Sequence, residues 1–362
     1  MPVLAGAVAV AMLFAATPFL IPEVADRFDV SVGTAGLLSV AQVASFAATT
    51  FILPRLAAPS VRIFLIAAGV LAVGNGVSAL LTAFPLLVGV RAVAGGAAGA
   101  LIWMAWSDAM QAPRSLAAIS AAAPLTVLLS SPLIAALSAH GDRAIYAALA
   151  IASAPLLLMR PSVTVGARPT RHVSRSRSNR VLLGALVLMT FAGASLFIYE
   201  SVAARQQLGL TPLATSLGFS LNAAGGLLGA RLSGRHRRPG LWLASAGPAA
   251  ALSIAGGHAI FFFIGIGWWG FAFWMGVPGV MQMLSARSLH PAERAGDAQS
   301  AMAVGRALAP LLGGAFADAD AYTTLALVSG AGLTVAGLSI AGVQEGRDRL
   351  PPSDPIFHMP KD

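Results

Sequence analysis

Cysteine is missing from this 362-residue chain. It therefore has no disulfide, thiolate nucleophile or cysteine-based zinc site, although this does not place it in a compartment. Charge is scarce: 10% of residues are Asp, Glu, Lys or Arg, against roughly 25% in soluble domains. So little charge cannot cover a chain of this length in water. No acid lies deep in an apolar segment, and no HExxH, GxSxG or Walker A motif or paired intramembrane carboxylate occurs. These absences argue against an enzyme and an ATP-driven pump, and leave no cofactor or metal to expect. Basic patches with interleaved aromatics are also missing, so the net charge of +9 does not indicate a nucleic-acid partner.

What the chain does have is apolar length. Hydrophobic residues make up 57% of it and mean hydropathy is +0.79. We read an all-α integral membrane protein with spans at roughly 3–22, 32–53, 62–81, 86–107, 116–138, 144–159, 181–199, 212–231, 241–256, 259–284, 298–317 and 321–342. The N-terminal run LAGAVAVAMLFAA lacks a basic flank and is taken as the first span, not a cleaved signal. With the N-terminus in the cytoplasm, the outer loops hold only Arg27, Arg143 and Arg205, while the inner segments hold the other loop arginines. That asymmetry is the positive-inside pattern. It gives a cell-membrane protein with both termini cytoplasmic. The expected organisation is a six-helix half over 1–159, a basic cytoplasmic linker over 160–180, a second half over 181–343 and a tail over 344–362.

The halves repeat each other. Ser131-Pro132-Leu-Ile-Ala135-Ala136 in the fifth span parallels Ala309-Pro310-Leu-Leu-Gly313-Gly314 in the eleventh. Arg55 and Arg62 follow the second span, and a basic cluster around Arg235 follows the eighth. Parallel six-helix repeats are a recognised transporter architecture. Together with Arg91-xxx-Gly95-xxx-Gly99 in the fourth span and the segment PEVADRFDVSVGTAG at 22–36, these features resemble the major facilitator superfamily, in particular its bacterial 12-helix efflux branch. The fifth-helix motif is similar to the Gly-Pro-x-x-Gly-Gly of its proton antiporters, with small residues in place of the glycines. The chain departs from the family at 55–62, where the acid of the usual gating loop is absent.

Several residues are candidates for chemistry. Arg91 and Arg306 are charges inside spans, where each needs a partner or a wet cavity. Each either holds helices together or engages an anion. Glu200, Asp26 and His258 are the remaining protonatable groups, and all are read as peripheral. Trp268, Trp269 and Trp274 crowd the tenth span. The resemblance implies that this span lines a central cavity, so the tryptophans form either an aromatic wall for a flat or apolar substrate or ordinary packing. Gly95/Gly99 and Gly225/Gly229 make flat faces for close helix packing, static or sliding. The resemblance implies a monomeric secondary transporter that moves a small amphipathic compound outward in exchange for protons. Two alternatives stand beside it: a uniporter or anion exchanger using Arg91, and a non-transporting receptor or scaffold on the same fold.

Overall fold

The computed structural model describes residues 2–109, 113–161, 177–233, 238–286 and 291–345, and among these every regular element is helical. The N-terminal half contains α1 (Pro2–Phe28), α2 (Val32–Ala35), α3 (Leu37–Leu56), α4 (Val61–Leu80), α5 (Phe84–Ala109), α6 (Pro113–Ser138) and α7 (Asp142–Ser153), which runs into a 3-10 turn at Ala154–Leu158. The C-terminal half contains α8 (Arg177–Phe197), α9 (Glu200–Leu208), α10 (Pro212–Leu232), α11 (Pro239–Ala255), α12 (Ala259–Ala286), α13 (Pro291–Asp318) and α14 (Tyr322–Glu345). Among the described residues, ten stretches are long and apolar enough to cross a bilayer. The other two expected passes are short: α11, with 17 residues, and α7 with its 3-10 turn. Two expected spans are interrupted. One breaks at Gly36, between α2 and α3, and the seventh breaks at Ile198–Tyr199, between α8 and α9. Most of the expected linker and tail lies outside the described residues, and α8 already begins at Arg177.

Local chemistry sets the helix starts. Ser31, Ser60 and Thr211 are N-caps whose hydroxyls accept from Thr34, Ile63 and Ala214 N–H groups. Pro212 and Pro239 open their helices where a missing N–H costs nothing. All five residues with positive φ, Asp29, Gly141, Gly209, Gly257 and Asp320, sit in turns at one end of the bundle. Arg27 fastens that end within the first half. It pairs with Asp142 at 2.7 Å and donates to the carbonyls of Ser78 and Leu81. This is the arginine-poor end of the sequence reading.

The repeat is visible in the packing. In the first half α1 lies on α6, α3 on α5, and α4 on α7. In the second half α8 lies on α13, α10 on α12, and α11 on α14. The glycine faces serve these pairs. A Cβ on Gly99 would sit 2.7 Å from the Phe46 carbonyl, and one on Gly95 would strike the Gln42 carbonyl. Across the repeat, a Cβ on Gly225 would sit 2.5 Å from the Gly267 carbonyl, and one on Gly229 would strike that of Phe271. Both glycine pairs thus set helix distances inside a half, not between halves. The halves meet through α3 on α13 and α6 on α10.

Candidate transport cleft

Contacts between the halves gather at the arginine-poor end. The Ser31 hydroxyl donates to Asp318 Oδ2 at 2.9 Å, and the Gly33 N–H donates to Oδ1 at 2.7 Å. A Cβ on Gly314 would sit 2.9 Å from the Gly33 Cα and from the Tyr199 hydroxyl. Ser201 donates to the Pro18 carbonyl of α1, and Arg205 lies 3.5 Å from Glu23. One level deeper, T-shaped ring contacts run from Trp269 through Phe197 and Phe219 to Phe19, from the second half into the first. Glu23, Ser138, Ser201, Arg205 and Thr215 line a small crevice above these rings.

The small-Pro-x-x-small-small motif of α13 lies at this closure. Pro310 cannot donate, and Gly313 and Gly314 let neighbours come close. Ser195 donates to the Ala309 carbonyl at 3.0 Å, and the Tyr199 hydroxyl donates to that of Pro310, also at 3.0 Å. The break after α8 puts Tyr199 in reach of both α13 and the first half. The matching Ser131 and Pro132 lie in α6, where Ser131 donates to its own helix at Val127.

Arg91 is buried, 1% exposed, and faces its own half. Nε and Nη2 donate to Gln42 Oε1 at 3.1 and 2.7 Å, and Nη1 donates to Asn75 Oδ1 at 2.9 Å and Ser78 Oγ at 3.3 Å. Its guanidinium carbon lies 5.3 Å from the Tyr146 ring centroid. Neutral dipoles from α3, α4 and α7 therefore solvate the charge, as a buried cation requires. They leave it turned away from the cleft.

Glu200 is not peripheral, contrary to the sequence reading. The helix break tucks it under the turn, 0% exposed, with Oε1 accepting from Ser253 of α11 at 2.6 Å. Oε2 has no partner among the described residues. Glu200 lies past the end of the α8 span, and burial pushes its carboxyl up to about 8.

The tryptophans separate. Trp269 is 5% exposed and packs inward on Phe197, 5.6 Å between centroids. Trp268 is 44% exposed and turns outward to Trp242, Phe271 and the Ser245 hydroxyl. Trp274 sits against Phe273, and a Cβ on Gly226 would meet its ring 2.6 Å away. The expected single wall is thus one inward ring, one outward ring and one ring in the α10 contact. Consecutive residues on a helix point about 100° apart, so neighbouring tryptophans cannot share a face.

Arg306 lies on α13 on the side of the first half. The exposed apolar strip of that helix is Val304, Leu308, Leu311 and Ala315. At 3.6 residues per turn, Arg306 lies about 170° round from the centre of that strip. Gly305, Ala309 and Gly313 face α8. Pro310 and Gly314 continue the line of Arg306 outward and are buried. Arg306 itself is exposed, and among the described residues it has no hydrogen bond or ion pair. Along this face Pro310 and Gly314 are buried toward the arginine-poor end, Arg306 and Gln299 are exposed, and Met302 between those two is buried.

Two pseudo-equivalent six-helix halves joined at one end of a cleft define a membrane transporter fold. The chain belongs to the Major Facilitator Superfamily, whose sequence pattern it matches over residues 3–314. Solved structures agree. A bacterial homologue of the human lysosomal transporter Spinster, inward-facing and unoccupied, superposes with a TM-score of 0.74 at 13% identity, covering 95% of this chain and 96% of that one. The nucleoside transporter NupG gives 0.69 at 11% identity over 94% and 98%. The human organic anion transporter MFSD10 gives 0.65 at 18% identity over 94% and 98%. No curated protein matches the chain by sequence. Family and neighbours indicate a transporter rather than an enzyme.

Proposed function

We propose that this chain is a secondary transporter that exports a small amphipathic organic compound across the cell membrane by alternating access, coupled to protons. One observation carries the reading: among the described residues the polar contacts between the halves gather at the arginine-poor end, with Ser220 on the Leu128 carbonyl deeper in the bundle, so we read that end as the closed side of the cleft and the other as the open one. Rocking the halves about the α3–α13 and α6–α10 contacts would exchange those sides. On the positive-inside reading, the closed, arginine-poor end faces outward and both termini lie in the cytoplasm. Glu200 is our proton-binding residue. Its carboxyl is neutral while the outer end is closed around it, and it would release its proton once water reaches it. It lies between Tyr199, whose hydroxyl sits against Gly36 of the first half, and Ser201, which donates to the Pro18 carbonyl of the first half.

An anion exchanger built on Arg91 has less support, because that guanidinium is turned away from the cleft. The test uses energised everted vesicles with a pH-reporting dye and a panel of amphiphiles. Proton export in exchange for one compound, present in wild type and absent in Glu200→Gln, is the expected result. A folded protein that leaves the proton gradient untouched with every compound would overturn the reading.

A further inference from the structure

Arg306 stands apart from the other span arginine. Arg91 has hydrogen-bond acceptors from two helices and the Tyr146 ring of a third on it. Among the described residues Arg306 has no partner, and it lies exposed on a face turned away from the apolar strip of α13. No acid shares that face. Asp297 is two and a half turns away on another side, and Asp318 is bonded to Ser31 and Gly33 at the far end. A charge at mid-span is costly without a counter-ion or water, so an uncompensated one marks a place where a ligand supplies the compensation. Gln299 lies seven residues earlier, almost in line with Arg306, and is exposed on the open side. Its amide offers a neutral approach without competing charge.

We infer that Arg306 is the anion-binding residue of the cleft, and that the transported compound carries one carboxylate, sulfonate or phosphate group on an apolar body. This rests on the transporter reading above and names its substrate class. The guanidinium fork suits such groups, because two parallel N–H donors meet two oxygens. A cationic amphiphile meets an unpaired positive charge at the same point and is rejected. The anion need not be a metabolite. A single-chain phospholipid presents the same chemistry, and only experiment separates the two sources.

The test is equilibrium binding to the purified full-length protein in non-ionic detergent, read as the ligand-dependent rise in melting temperature. The probes are phenylbutyrate, its amide, its trimethylammonium counterpart, and single-chain phospholipids with anionic or zwitterionic heads. Saturable stabilisation by phenylbutyrate or the anionic phospholipid, and by neither uncharged nor cationic counterparts, is expected. Whichever responds identifies the source. Arg306→Gln should weaken that binding by about tenfold or more, the loss of one charged contact. It should still fold, because Arg306 has no described partner to orphan. If it does not fold, Arg306→Lys carries the test, and affinity unchanged by loss of the fork overturns the assignment. Equal binding of the amide, or wild-type affinity in Arg306→Gln, also overturns it. The assay contains no membrane or gradient. A failure of vesicle transport therefore leaves the binding assignment standing, and a failure of binding leaves the transport reading standing.

Discussion

Arg91 and Glu200, two buried ionisable residues, differ in how they are compensated, and that difference sets what each will do when changed. Arg91 has four hydrogen bonds to Gln42, Asn75 and Ser78. Arg91→Gln orphans those acceptors, so it should destabilise the protein by about 2–4 kcal/mol, seen as a lower melting temperature with unchanged ligand affinity. Glu200 has one bond to Ser253 and one bare oxygen. Its folded pKa of about 8 lies above the ordinary 4.5, so between those values the folded protein holds a proton that the unfolded chain has lost. Stability from this residue is then complete below about pH 4.5 and disappears as pH rises through 8. Melting temperatures from pH 5 to 8.5 should fall in wild type and stay flatter in Glu200→Gln. Neither environment was legible from the chain. The dipoles around Arg91 come from residues 13 to 49 positions away, and Glu200 looked solvated because nothing in its own segment announces the break at Ile198–Tyr199.

Helices and their contacts were far more readable, because length and apolarity decide them. Most expected spans coincide with the observed helices within a few residues, and the two that fall short of a full crossing are the shortest expected ones, 144–159 and 241–256. The repeated Pro motifs were visible as a pattern, but their consequences differ. On α13 the motif touches α8 and the first half, while on α6 its serine bonds within its own helix. The α13 copy can therefore be used as a wedge. Gly314→Leu inserts a side chain where the Gly33 Cα lies 2.9 Å from a bare Cβ, so it should push the outer end apart. Because no cysteine occurs naturally, Ser138→Cys in the crevice provides a single reporter thiol. Its reaction with a membrane-impermeant maleimide should rise several-fold in the Gly314→Leu background. The rate at Ala139→Cys, exposed one residue away, should be unchanged.

At the scale of the molecule, the arginine distribution and the contact map describe the same asymmetry by independent routes. One end is poor in arginine, rich in tight turns and bonded across the halves; the other carries the basic segments. In intact cells an impermeant maleimide should label Ala139→Cys and should reach Ser174→Cys, in the basic segment between the halves, only after permeabilisation. Labelling in the opposite order would invert the topology. The turns have a further consequence for biogenesis. Consecutive passes are joined at the arginine-poor end by only a few residues, several of them in the left-handed conformation that lets a chain reverse at once. The polypeptide can thus enter the bilayer as successive helical hairpins, each carrying a short, arginine-poor tip to the far side. On the positive-inside reading the long basic stretches stay on the near side, so the handedness of insertion would be decided pair by pair during synthesis.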